Sequence, residues 1–102
     1  MSLTTEQKKH LRTLGHQLNP IIMVAGNGLS ENIQLETDRA LADHELIKVK
    51  VTVGDRQLKR DLIKELCQIV EATLVQEIGN IALLYRKSDH PNPKLSNLQR
   101  LK

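Results

Sequence analysis

Ile21-Ile22-Met23-Val24-Ala25-Gly26-Asn27-Gly28-Leu29-Ser30 passes from a short apolar run, through a glycine loop, to a residue suited to begin a helix. A strand that empties into such a loop and then a helix N-terminus can hold an anion. Glycine has no Cβ to keep a phosphate off the backbone, and the first N–H groups of a helix lack partners within it. The absence of alternation in residues 21–24 predicts a strand buried on both faces.

The elements on either side follow from periodicity. Upstream, Thr4 and Gln7 have the spacing of a capping box, and Leu11, Leu14 and Leu18 repeat at helical intervals. They predict a helix over about residues 4–17, ended by Asn19-Pro20. Downstream, Ser30 caps a helix with Ile33, Thr37, Ala40 and Leu41 on its apolar stripe, ending near Asp43. Leu46 to Val53 then alternates, with Ile47, Val49, Val51 and Val53 on one side and Lys48, Lys50 and Thr52 on the other. Asp55 caps a third helix whose stripe reads Leu58, Leu62, Leu66, Ile69 and Val70. Strands Leu74–Ile78 and Ile81–Arg86 flank Gly79-Asn80, a two-residue hairpin signal.

The order α-β-α-β-α-β-β places the chain in the α/β class. It predicts a compact four-stranded mixed sheet with three helices, in which helices link parallel strands and the hairpin adds an antiparallel pair. Residues 1–87 form the domain. Residues 88–102, broken by Pro91 and Pro93, read as a flexible basic tail.

Composition narrows the function. The 102 residues carry a net charge of +3, and Tyr85 is the one aromatic side chain. A binder that stacks successive bases on aromatic rings is thereby excluded, whereas recognition of phosphate and RNA shape is not. Cys67 is the single cysteine, so no disulfide or cysteine-rich zinc site is available, and it reads as a small buried residue. No stretch reaches the roughly 20 apolar residues of a membrane span, and the N-terminus is unlike a signal peptide. The expected location is cytoplasmic, without membrane contact.

No catalytic constellation emerges. His10, His16, His44 and His90 form no metal-ligand pair, and neither a phosphate-loop lysine motif nor a dinucleotide fingerprint is present. The expectation is a non-enzyme without metal or cofactor. The cations, by contrast, cluster: Lys8, Lys9 and Arg12 on the first helix, Lys48 and Lys50 on the second strand, and Arg56, Lys59 and Arg60 at the start of the third helix. Cations in that first turn oppose the helix dipole, at a few tenths of a kcal/mol each. Beside the glycine loop, either the first-helix cluster or the cluster formed by the second strand with the residues just beyond its end would complete a phosphate-binding surface. Two rivals stay open: a protein-interaction module using the leucine-bearing tail or the acidic second helix, and a small RNA-processing enzyme.

Asn27-Gly28-Leu29-Ser30, His44-Glu45-Leu46-Ile47-Lys48-Val49-Lys50-Val51, Asp55-Arg56, Ile78-Gly79 and Leu84-Tyr85-Arg86 resemble the YhbY family of bacterial stand-alone CRM (chloroplast RNA splicing and ribosome maturation) domains. The resemblance spans roughly residues 2–87. It implies a fold similar to the C-terminal domain of translation initiation factor three. It also implies binding to RNA, here ribosomal RNA in precursors of the large ribosomal subunit; separately, the lack of an extra apolar stripe makes a monomer the expected state. RNA contacts in the family are attributed to a Gly-x-x-Gly loop, which maps onto Ala25-Gly26-Asn27-Gly28, followed here by Ser30, and to basic residues among which Arg86 joins the clusters above. Ala25 departs from the pattern. If the family glycine needs positive φ, alanine costs roughly 1–2 kcal/mol there; if it needs only a small side chain, Ala25 is tolerated.

Overall fold

The computed structural model describes residues 3–26 and 28–101. Helix α1 (Thr5–Gly15) opens the chain, and both arms of its capping box form: Thr4 Oγ1 accepts from the Gln7 N–H, and the Thr4 N–H donates to Gln7 Oε1. Strand β1 (Pro20–Val24), helix α2 (Glu31–His44), strand β2 (Leu46–Val51), helix α3 (Arg56–Ile69) and the hairpin β3 (Thr73–Ile78) and β4 (Ile81–Tyr85) follow. A short helix, α4 (Asn97–Arg100), lies in the segment read as a tail.

The four strands form one mixed sheet in the order β1-β2-β4-β3. β1 pairs parallel with β2, while β4 pairs antiparallel with both β2 and β3. The α3 crossover therefore does not set β3 beside β2. The chain skips one position, and the hairpin returns β4 into the gap.

Alternation along the central strands separates two cores. On one face Ile22, Val24, Ile47, Val49, Val51, Ala82 and Leu84 meet Ala40 and Leu41 of α2 and Ile63 and Leu66 of α3. On the other, Leu46, Val75 and Leu83 meet Leu11 and Leu14 of α1, with Leu98 and Leu101 packed alongside. Each such leucine or isoleucine contributes about 1.5–3 kcal/mol by leaving water, so a core nearly free of aromatics suffices. Gly15 permits the close approach of α1, because a Cβ there would lie 2.8 Å from Leu83 Cδ2.

Three expectations change. β1 is buried on one face only: Ile22 and Val24 point into the core, whereas Ile21 is 50% and Met23 59% exposed, because α1 covers only part of the second face. The stripe of α3 turns through Ile63 and Leu66, leaving Leu58 and Ile69 at the surface. Residues 88–101 do not trail away from the domain. Ser96 and Asn97 are buried, tied respectively to the Glu45 carboxylate and the Leu46 carbonyl.

Candidate nucleic-acid interface

The parallel pairing of β1 with β2 brings the ends of both strands to one edge of the sheet, and the reversed direction of β4 brings the β3–β4 turn there too. Short bonds knit this edge. The Thr52 N–H donates to the Val24 carbonyl at 2.8 Å, and the Val51 N–H to the Asn80 carbonyl at 2.7 Å. The glycine loop closes on itself through the Gly28 N–H and the Ala25 carbonyl, 2.9 Å apart. Leu29 packs against the core, and Ser30 caps α2 by accepting from the Ile33 N–H.

The loop's two described glycines have different reasons to be there. Gly28 has φ +72, a conformation costly for any residue with a Cβ. Gly26 has no such requirement. Its φ is not positive, it is exposed, and a Cβ would meet nothing within 4 Å. Ala25 likewise avoids positive φ, so its methyl group introduces no backbone strain. Asn27 lies outside the described residues. The Gly28 amide is occupied within the turn, and Glu31 sets a carboxylate at the first position of α2. The part of the loop left open to solvent is accordingly the side of the turn at Gly26, away from the helix axis.

The loop meets α3 at Leu62, where the first half of that helix ends, since a Cβ on Gly28 would lie 4.0 Å from Leu62 Cδ2. That half carries Arg56, Lys59 and Arg60, with Asp55 Oδ1 capping the Gln57 and Leu58 amides. The Lys59 ammonium reaches the hairpin turn, donating to the Gly79 carbonyl at 2.7 Å. Lys50, opposite Met23 and Ile81, lies near this edge, whereas Lys48, opposite Pro20 and Leu83, lies towards the other end of β1; both are on the sheet face that α1 leaves open. Lys8 and Arg12, four apart, run along α1 towards His16, which shares a recess with Lys48, Gln76, Ile78, Ile81 and Leu83. Lys9 is exposed on another flank of the helix.

Arg86 is elsewhere. It sits at the opposite end of β4 and donates to the Asp38 carboxylate at 2.7 Å and to the Asp38 and Val70 carbonyls, both at 2.9 Å. The guanidinium thus clamps α2 to the end of α3, and among the described residues this is the one ion pair. Among the described residues no cation of the loop edge or open sheet face is within ion-pair distance of a carboxylate, although Glu77 lines a groove together with Arg60. His16 is the residue that sequence reasoning passed over, because nothing in a helical repeat shows that the C-cap of α1 ends against β3 and β4. Cys67 lines a groove with Arg60, Lys64, Leu74 and Glu77 on the β3 side of α3, and partial burial pushes its thiol up to about 11. No described helix is long and apolar enough to cross a membrane.

Comparison with known proteins gives a consistent picture. Residues 3–86 match the model of the CRS1 / YhbY (CRM) domain. A Pseudomonas aeruginosa protein named a probable RNA-binding protein is 51% identical over 100 residues, covering 98% of this chain and 96% of its own. A Haemophilus influenzae protein named an RNA-binding protein is 45% identical over 94 residues, covering 92% and 95%. The solution structure of a hypothetical protein from Staphylococcus aureus superposes with a TM-score of 0.76 at 36% identity, over 87% of this chain and 93% of that one.

Proposed function

We propose that this chain, which belongs to the CRS1/YhbY (CRM) domain family, is a non-enzymatic cytoplasmic protein that binds RNA and assists assembly of the large ribosomal subunit. The exposed turn at Gly26 receives a backbone phosphate. Arg56, Lys59 and Arg60 on one side, and Lys48 and Lys50 on the other, attract the flanking phosphates. The observation that carries this reading is Gly26 itself: neither φ nor packing within the protein requires a glycine there, and Lys50 and Lys59 lie at the same end of the sheet. Close approach by a ligand is the remaining physical reason to omit the side chain.

The names of the relatives support RNA as the ligand, and the lack of aromatic side chains favours recognition by phosphate and shape. Arg86 acts as a structural clamp rather than a contact. A docking role for Leu98 and Leu101 of the tail is disfavoured, since both pack against the α1 core, whereas Leu95 stays exposed.

The test combines binding and sedimentation. Affinity for ribosomal RNA fragments should fall steeply with salt, with a log–log slope near −0.7 to −0.9 per phosphate neutralised. Gly26→Val should weaken binding at least tenfold with an unchanged melting temperature. In a sucrose gradient of cell extract the protein should travel with large-subunit precursors at low salt and leave them at high salt. A position at the top of the gradient under both conditions would sink the assembly role.

A further inference from the structure

At the end of the sheet where β1 and β2 begin, the α1–β1 corner and the folded-back C-terminal segment border an open cavity of about 350 Å³. Among the described residues its polar lining is Gln17, Asn19, His44, Lys48, Lys94, Asn97 and Arg100, with no acidic side chain. Lys94 and Arg100 belong to the segment that sequence reading sets aside. They are brought beside Lys48 because Ser96 and the Ser88 N–H bind the Glu45 carboxylate at 2.7 and 2.9 Å, and because the Asn97 amide donates to the Leu46 carbonyl at 2.6 Å.

Resting on the RNA-binding reading above, we propose that this cavity is a second contact that takes one unpaired nucleotide of the bound RNA. Arg100 is held by a 2.7 Å bond to Asn97 Oδ1, which uses one of the five N–H donors of its guanidinium. With Lys48 and Lys94 it forms a cationic wall for a phosphate. Gln17 and Asn19 each offer a donor and an acceptor for a base edge. His44 adds another acceptor: its Nδ1 lies 2.9 Å from the Leu95 carbonyl, which can only accept, so in the neutral ring Nε2 is the unprotonated nitrogen. Leu18 and Ile21 supply an apolar wall. A base edge is available to such groups only when unpaired, and the volume lies at the low end for small-ligand sites, which suits a single nucleotide.

The position supports the same conclusion. Lys48 lines both this cavity and the recess on the open sheet face. The five residues of β1 separate the cavity from the glycine loop by about 13 Å at the rise of a strand, so one RNA strand can reach both.

The decisive experiment uses the full chain with three probes: a single-stranded uridine 12-mer, uridine monophosphate and inorganic phosphate. Uridine monophosphate at millimolar concentration should shift the amide resonances of Gln17, Asn19 and residues 94–100, and phosphate alone only those near Lys94 and Arg100. The Lys94→Gln/Arg100→Gln pair should abolish these shifts, weaken 12-mer binding about tenfold and reduce the salt slope by about 0.7, one phosphate. A control pair of equal charge, Lys64→Gln/Lys87→Gln, should change affinity less than threefold. Wild-type affinity and salt slope in the cavity pair, with Gly26→Val still defective, would overturn the cavity and leave RNA binding intact. Equal shifts from phosphate and the mononucleotide would reduce the site to a simple anion site and overturn nucleotide recognition. If the wild-type chain binds no RNA at all, both readings fall.

Discussion

The hydroxyl of Ser96 donates a 2.7 Å hydrogen bond to Oε1 of Glu45, across 51 residues of chain. Glu45 is buried at the α2–β2 junction, and its backbone adopts φ +62 although it is not glycine. Its other carboxylate oxygen accepts from the Ser88 N–H, and its carbonyl from the Arg86 N–H. One acidic residue thereby ends a helix, begins a strand and anchors the C-terminal segment.

Removing that carboxylate should be costly. Glu45→Ala strands a buried hydroxyl and a backbone N–H, with an expected loss of about 3 kcal/mol in urea unfolding. Glu45→Gln retains an acceptor and should lose about half as much. Hydrogen exchange of residues 95–100 should accelerate in both variants. Unchanged protection there would mean that the segment is held without Glu45.

Arg86→Ala should destabilise by about 2 kcal/mol, because Asp38 and Val70 lose their common partner. Lysine should not rescue the loss, since one ammonium cannot reproduce a fork that meets a carboxylate and two carbonyls. RNA affinity of the folded variant should stay within twofold of wild type. A tenfold loss would return Arg86 to the interface.

Much of this molecule is local information, and that part is legible in the sequence. Thr4 with Gln7, Ser30, Asp55 and Gly79-Asn80 mark element ends within four residues of themselves, and all act where the pattern puts them. What escapes is non-local. No repeat encodes that β4 inserts between β2 and β3, or that α1 stops short of Ile21 and Met23. The phase of α3 is ambiguous because Leu58, Leu62, Ile63, Leu66 and Ile69 occupy more of the helix circumference than one core can cover. The tail reads as a terminus because Ser96 and Asn97 find their partners at Glu45 and Leu46. At the candidate site, the glycine loop is visible as a motif. Its adjacency to α3 rather than α1 depends on the sheet order.

Burial holds the Cys67 thiol at about 11, above its ordinary 9.0, so the folded state keeps the proton more tightly than the unfolded chain. This contribution to stability is fully present below pH 9 and declines as pH rises from 9 towards 11. Cys67→Ala should remove that part of the alkaline loss, read from urea midpoints at pH 8 and 10.5. In the native protein at pH 8, iodoacetamide should label Cys67 far more slowly than it labels glutathione. Equal rates would show a thiol that burial does not protect.

Gly26 and Gly28 should separate folding from binding. At φ +72, Gly28→Ala should cost about 1–2 kcal/mol in thermal or urea unfolding, and its weaker RNA binding would then mix two effects. At Gly26 a Cβ enters open space, so Gly26→Ala should leave stability within about 0.5 kcal/mol of wild type. Any loss of RNA affinity there reports contact with the ligand, and it should grow from alanine to valine as the side chain fills the approach. A destabilised Gly26→Ala would mean that the turn, not the RNA, requires that glycine. A stable Gly26→Val with full affinity would place the phosphate elsewhere on this edge.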